Sequence, residues 1–308
     1  MIDLRLDALT DWLEIFFGDE NFVIVSASDD ASFRRYFRVE RSNSTFIAMD
    51  APPEKEDNKS FIKIAQLLRN NNLYAPKIIE FDLIQGFLLI EDLGNTTFLQ
   101  ALREDNRIDL YKKSIDTLVQ MQAIDCKNKH LPIYNNNLLK AEMQLLVDWY
   151  LPKNSQHLNA LQSLFQSLSD NALSSPQVFV HRDYHVRNMM MVNGEIALID
   201  FQDALVGSNT YDLCSLLKDA YLELSSDEIQ ILLKYYYQQA NIKIAFSNFE
   251  KQFELMGLQR HLKILGIFKR LSIRDGKHQY LDDIPLVEKY IRQVADKYPD
   301  FTLLKDVI

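Results

Sequence analysis

Residues Val178 to Ala204 read VFVHRDYHVRNMMMVNGEIALIDFQDA. Val178–Val180 is a short apolar run predicted as a buried strand, and His181–Asn188 is a polar loop. Met189–Met191 and Ile196–Ile199 flank the turn Val192-Asn193-Gly194. Asn-Gly between two apolar runs is a strong hairpin signal, because both central turn residues need positive φ. The hairpin delivers the chain to Asp200, so loop and hairpin together are expected to bring Asp183, Asn188 and Asp200 to one rim of a small sheet. Phosphoryl transfer needs such a set: a carboxylate to accept a hydroxyl proton, and an amide with a second carboxylate to hold Mg²⁺ against nucleotide phosphates. A lone Asp or Asn in a turn usually serves only the backbone. The pattern H-x-D-x-x-x-x-N followed by two strands and Asp-Phe is far more specific, and it points to a phosphoryl-transfer site.

Composition bounds the rest. The chain has 308 residues, 47% hydrophobic and 25% charged, with a formal net charge of −9. A chain of this size buries roughly 75% of its unfolded surface, enough for one large domain or two lobes. The acidic balance argues against nucleic acid or an anionic membrane as partner, since nothing supplies the basic footprint that phosphate backbones require. No apolar run approaches a membrane span, and the acidic amphipathic N-terminus MIDLRLDALTDWLEIFFGDE lacks a basic leader region. Cys126 and Cys214 carry no motif and read as free thiols of a reducing, cytoplasmic compartment. No obligate protein partner is evident. Eight glycines are few, and neither G-x-G-x-x-G nor G-x-x-x-x-G-K occurs, so any phosphate loop must be built from other small residues.

Around the central stretch the chain changes character near residue 92. After the opening helix come β-prone runs at Phe22–Ser26, Phe33–Glu40 and Phe46–Asp50, with a turn at Ser28–Ser32. A helix over Asn58–Arg69 places Phe61, Ile64, Ala65 and Leu68 on one face, and strands Lys77–Phe81 and Phe87–Ile90 follow. Helices are expected downstream at Ile108–Ala123, Leu138–Tyr150, Gln156–Leu168, Tyr211–Leu222, Ser226–Gln239, Asn248–Leu271 and Ile284–Lys297. The fold class is therefore α+β, on a two-lobed protein-kinase-like plan. Residues 1–92 form a small antiparallel-sheet N-lobe that binds nucleotide, and residues 93–308 form a large helical C-lobe for catalysis and substrate. Backbone groups of Glu91 and Leu93 in the connector are the candidates to pair with an adenine edge.

The loop His181-Arg182-Asp183-Tyr184-His185-Val186-Arg187-Asn188 resembles that of the aminoglycoside phosphotransferase superfamily, where a His sits two places after the catalytic Asp. Further blocks narrow the resemblance to one branch, the bacterial anomeric N-acetylmuramate/N-acetylglucosamine kinases of cell-wall recycling. These blocks are Asp30-Ala31-Ser32-Phe33-Arg34-Arg35-Tyr36-Phe37-Arg38, Met49-Asp50-Ala51-Pro52-Pro53-Glu54-Lys55-Glu56-Asp57, Ile199-Asp200-Phe201-Gln202-Asp203-Ala204, Tyr211-Asp212-Leu213, and His261-Leu262-Lys263-Ile264-Leu265-Gly266-Ile267-Phe268 with Arg274-Asp275-Gly276-Lys277 after it. The resemblance implies ATP, Mg²⁺ and an amino-sugar substrate phosphorylated on its C1 hydroxyl. It implies that Asp183 is the catalytic carboxylate and touches that hydroxyl, and that Asn188 and Asp200 are the metal ligands. Asp212 matches a structural Asp of the superfamily and reads locally as the N-cap of the helix that follows. Other acceptors of the same superfamily (aminoglycosides, choline, hydroxyamino acids) and a nucleotide-binding pseudokinase are the alternatives.

The sequence departs from the kinase pattern where the phosphates should be held. The run Phe46-Ile47-Ala48-Met49 lacks the usual Lys, and the helix after it lacks the Glu that would pair with one. Removing both members of a buried pair need not destabilise, whereas removing one would cost on the order of 3–5 kcal/mol. Ser28 and Ser32 in the turn, with Arg34 and Arg35 just after it, are the candidates to hold the phosphates; Arg38 shares a strand face with Arg34. Arg187 and Arg274 are candidates to meet the lactyl carboxylate of an acidic sugar. The helix Asn248–Leu271 is expected to display Gln259, Arg260, His261, Lys263, Lys269 and Arg270.

Overall fold

The computed structural model describes residues 3–29, 33–127, 129–152 and 157–308. They form two compact units, Met1–Thr97 with Met190–Asp203, and Phe98–Met189 with Ala204–Ile308. This differs from a division at residue 92: the first unit runs to Thr97, and it takes in the hairpin.

Helix α1 (Leu4–Phe17) begins where the Asp3 carboxylate accepts the Leu6 N–H at 3.1 Å, and it stops at Gly18 with φ 76°. Strands β1 (Val23–Asp29), β2 (Arg35–Arg41) and β3 (Ser44–Asp50), helix α2 (Asn58–Asn70), and strands β4 (Ile78–Asp82) and β5 (Phe87–Glu91) follow. The five strands make one antiparallel sheet, ordered β1-β2-β3-β5-β4. Leu9 and Leu13 of α1 are wholly buried against Phe37, Val39, Ala48, Phe87 and Leu89, each burial contributing about 1.5–3 kcal/mol. β1 extends past Ser26 with an irregularity before Ser28, so the Ser28 backbone lies in the ladder opposite Tyr36 rather than in a turn. Ser32 lies outside the described residues.

Beyond Thr97 come helices α3 (Phe98–Ala101), α4 (Arg107–Gln122), α5 (Asn136–Leu145) and α6 (Leu158–Ser174), then strand β6 (Gln177–Val180). The helix expected over Leu138–Tyr150 is α5 continued by a π-helical turn, Leu146–Tyr150. The hairpin follows as β7 (Met189–Val192) and β8 (Glu195–Leu198), with φ 52° at Asn193 and 83° at Gly194, both positive as the Asn-Gly signal requires. Backbone bonds dock it within the first unit: Met191 N–H donates to the Thr96 carbonyl at 2.9 Å and Leu198 N–H to that of Tyr74 at 2.8 Å. β6 does not join the hairpin. It pairs with β9 (Leu205–Ser208), a four-residue strand too short for its pattern to be read. The single small sheet expected is thus two separate two-stranded sheets. Asp183 and Asn188 belong to the second unit and Asp200 to the first.

Helices α7 (Tyr211–Leu217), α8 (Ser226–Gln239), α9 (Phe246–Asp275), α10 (Ile284–Lys297) and α11 (Leu304–Val307) complete the second unit. α8 and α10 span the residues expected, and α8 starts at a capping box formed by Ser225 and Glu228. α9 runs through the core, where Leu258, Leu262 and Leu265 pack with Met143, Leu146, Phe165 and Val287. At Gly266 any Cβ would collide with the Leu145 carbonyl, so α9 approaches α5 there with glycine alone. Gln259, Arg260, His261 and Lys263 are buried, not exposed as expected. Among the described residues no helix is long and apolar enough to cross a membrane.

Candidate active site

The loop after β6 is held from beneath by two buried carboxylates. The N–H groups of His181 and Arg182 donate to the two oxygens of Asp212 at 2.7 and 3.0 Å. Consecutive amides reach one anion only if the chain curls, and Arg182 does so with φ 77°, a left-handed conformation that a non-glycine residue adopts at a cost of about 1–2 kcal/mol. Asp212 is therefore a clamp inside α7 and not an N-cap; Thr210 occupies the N-cap position. Further along, Val186 N–H donates to Asp219 Oδ2 at 3.1 Å, and Tyr184 Oη donates to the Ser114 carbonyl at 2.7 Å. Asn188 Nδ2 donates to the Asp183 carbonyl at 3.2 Å and lies 3.4 Å from His185 Nε2. This fixes the Asn188 amide with its nitrogen toward the loop.

The Asp183 carboxyl is half-buried in a strongly cationic setting. Burial pushes its pKa up, but Lys263, Arg260 and Arg182 overcome that, holding it below the usual carboxylate range. Behind it, Glu142 is a buried hub. Arg182 Nη2 reaches it at 2.6 Å, Lys263 Nζ at 2.9 Å and Tyr134 Oη at 2.9 Å. A carboxylate and two cations taken out of water together are tolerated because each is hydrogen-bonded to another. Arg182 accordingly pairs within its own unit, 40 residues away in sequence. Burial pushes Asp212 up to about 7 and Asp219 up to about 6, against the backbone donors that each accepts. His185 is pushed down to about 3 by burial.

In the first unit Asp200 has φ 61° and accepts from Gln202 Nε2 at 2.8 Å. Phe201 beside it is buried, its ring 4.9 Å from that of Phe61 on α2. A carboxylate in left-handed backbone, locked by a buried aromatic neighbour, is the kind of locally strained residue that clusters at functional sites. The Glu91 N–H, one of the connector groups singled out, is spent on the Lys77 carbonyl at 2.9 Å, which leaves the Glu91 carbonyl and Leu93 as its edge groups. The arginines after β1 are all ion-paired. Arg34 is buried and lies 2.8 Å from Glu56, which also accepts the Phe33 N–H at 3.0 Å. Arg35 binds Asp3 and the fully buried Asp50, and Arg38 binds Asp92 through two nitrogens. The two sequence blocks around Arg34 and Glu56 therefore explain each other.

Residues 23–243 match the phosphotransferase enzyme family. The chain belongs to that family. It is 38% identical to an N-acetylmuramate/N-acetylglucosamine kinase of Pseudomonas aeruginosa, over 92% of this chain and 87% of that protein. Proteins of the same description from Pseudomonas putida and Neisseria meningitidis are 37% and 36% identical, over 99% and 97% of this chain and 96% and 95% of theirs. Among solved structures, a choline kinase from Streptococcus pneumoniae superposes with TM-score 0.66 at 15% identity, covering 94% of this chain and 99% of that one. An ADP-bound aminoglycoside phosphotransferase does so with TM-score 0.63 at 16% identity, covering 91% and 96%. The two-lobed phosphotransferase fold, with a small antiparallel-sheet unit and a helical unit, is thereby established.

Other residues singled out from sequence fall elsewhere. Arg187 stacks on Tyr221, its guanidinium 3.6 Å from the ring centre. Arg274 is exposed and pairs with its neighbour Asp275. Sequence reasoning missed Glu142, Asp219, Arg260 and Lys263. The one available signal was charged residues at positions 260 and 263, within the largely apolar stretch Leu255–Phe268 of the helix.

Proposed function

We propose that this phosphotransferase uses ATP to phosphorylate the anomeric hydroxyl of N-acetylmuramate, N-acetylglucosamine or both. The observation that carries the reading is three relatives of that description at 36–38% identity across nearly the whole chain. Asp183 accepts the proton of the C1 hydroxyl as that oxygen attacks the γ-phosphorus; the new O–P bond forms while the bond to ADP breaks. A base must be ionised to act, and the cations behind Asp183 favour that form. Asn188 and Asp200 offer an amide and a carboxylate oxygen, the hard donors that Mg²⁺ takes in ones and twos alongside phosphates. When bound, the metal supplies charge neutralisation to the nucleotide.

We assign the phosphate contact among the arginines to Arg34 rather than Arg35. The Arg34–Glu56 pair stands in the same unit as the missing Lys–Glu pair and has the same composition of charges, whereas Arg35 is tied to a fully buried acid. The adenine edge is assigned to the Glu91 carbonyl and Leu93 N–H. The amino sugar is the only partner proposed. The test is turnover of ATP against a panel of amino sugars, choline and aminoglycosides, with phosphorus NMR of the product. Phosphate on the anomeric oxygen is expected; turnover confined to choline or an aminoglycoside sinks the reading.

A further inference from the structure

α9 places a buried guanidinium where two halves of the loop scaffold meet. Arg260 is 6% exposed, so its charge has been withdrawn from water. Its Nη2 donates to Ser215 Oγ and its guanidinium lies 5.4 Å from the Tyr211 ring centre, which seats it on α7 between those two residues. Ser215 lies three residues after Asp212 and four before Asp219, the two acids whose oxygens take the loop amides. Asp183, Asp219 and Asp212 are the carboxylates whose field the guanidinium feels. The neighbouring cation differs: Lys263, one turn on, is spent on Glu142 and the Tyr211 hydroxyl at 2.9 and 3.1 Å.

We propose that Arg260 is a positioning residue for Asp183: acting through Asp212 and Asp219, it holds both ends of the His181–Asn188 loop against α7 and the turn that follows. Without it, the buried carboxylates on α7 and just after it lose the guanidinium seated on Ser215, which lies between them in sequence. They then move apart or take up protons, and in either case the amides they accept loosen. Asp183 sits between the two anchor points, so it loses its aim together with part of the positive field around it.

The inference rests on Asp183 being the catalytic carboxylate, and the experiment separates the two. Arg260→Gln, Arg260→Lys and Asp219→Asn are made in the full chain. Amide hydrogen exchange at His181, Arg182 and Val186 is measured without substrate, and steady-state kinetics with ATP and N-acetylglucosamine. In Arg260→Gln, exchange at all three amides is expected to rise about tenfold or more, and in Asp219→Asn at Val186 alone. The kcat of Arg260→Gln is expected to fall about tenfold or more with both KM values within about twofold, as displacement of a reacting group by an ångström does. Arg260→Lys, which keeps the charge, is expected to restore most of kcat; it also serves if the Gln variant does not fold. Unchanged exchange at the three amides overturns the proposal. So does a loss in which both KM values rise and Arg260→Lys fares no better, since that is general destabilisation. If the wild-type chain phosphorylates no amino sugar, the acceptor assignment falls alone, and the exchange data still decide the role of Arg260.

Discussion

The two units hold their chemistry-bearing residues by different means. In the second unit the loop bearing Asp183 is fixed through its backbone: three amides end on two buried carboxylates. In the first unit the segments around β2 are fixed by side chains, Arg34 on Glu56, Arg35 on Asp50 and Asp3, Arg38 on Asp92. Anchoring through the backbone gives a geometry that substitution at the loop's own side chains leaves intact. Anchoring through arginines ties geometry and charge together, so each substitution there touches both. The contrast follows from composition. A chain poor in glycine fixes these described segments of its first unit through guanidinium groups.

The largest effect is expected at Asp183. Because the loop is anchored by amides that Asp183 does not supply, Asp183→Asn should leave the fold and ATP affinity unchanged while kcat falls at least about a hundredfold, the scale of a lost general base. Steady-state kinetics beside a urea melt make the check. Near-wild-type turnover would refute the catalytic assignment; a large drop in stability would refute backbone anchoring.

Next comes the anchor itself. Asp212→Ala orphans two buried N–H groups and removes the reason for the left-handed Arg182, so a loss on the order of 3 kcal/mol is expected, at 1–3 kcal/mol per unsatisfied donor. Arg35→Ala in the first unit should cost only about 1 kcal/mol, because Asp50 keeps Arg5, whose Nε donates to it at 2.7 Å. Equal losses in urea unfolding would erase the distinction between the two kinds of anchor. Arg34→Ala is the sharper probe of charge: the KM for ATP should rise roughly tenfold, matching a charged hydrogen bond of about 1.5–3 kcal/mol, and Arg35→Ala should leave it unchanged. An unaltered KM in Arg34→Ala would mean that metal and backbone hold the phosphates.

The same contrast explains what the sequence disclosed. The hairpin was legible because Asn193-Gly194 demands positive φ and sits between apolar runs. α8 and α10 were legible to the residue because a capping box starts one and Pro285 at the first turn starts the other. The loop pattern around Asp183 was legible because its spacing is specific. What supports that loop was not, because its partners lie 30 to 40 residues away or more in sequence and a buried Glu looks like an exposed one when written as a letter. Glu142 meets Arg182 40 residues on and Lys263 121 residues on. β9 and the docking of the hairpin on Tyr74 and Thr96 were hidden for a related reason: both are made by backbone hydrogen bonds, which carry no residue signature. Asp212 was misread as a cap because an Asp at a helix start usually is one; only the convergence of two amides on its oxygens reveals otherwise.

The smallest effect expected concerns acid. Burial holds His261 down to about 3; its Nε2–H donates to the Lys218 carbonyl at 3.0 Å and its ring stacks on Tyr290. An imidazole in the unfolded chain titrates near 6.5, so below that pH the unfolded chain binds a proton that the folded chain refuses, and acidification favours unfolding. Asp212 and Asp219 act oppositely. Raised to about 7 and about 6, they bind protons in the folded chain that the unfolded chain has already released, so acidification through that range favours folding. In the wild-type chain these effects oppose one another, and His185, also held down to about 3 by burial, adds to that of His261, so a pH profile of the wild type alone does not separate them. His261→Gln removes only the imidazole, and its amide can still donate to the Lys218 carbonyl. Whatever the substitution costs at pH 7, that cost should shrink by roughly 0.5–1 kcal/mol at pH 6, which one group titrating only in the unfolded chain allows. Urea midpoints of both chains at the two pH values measure it. A cost that stays constant would mean that His261 takes up its proton inside the fold, and that the buried face of α9 admits charge more readily than its Arg260 and Lys263 already show.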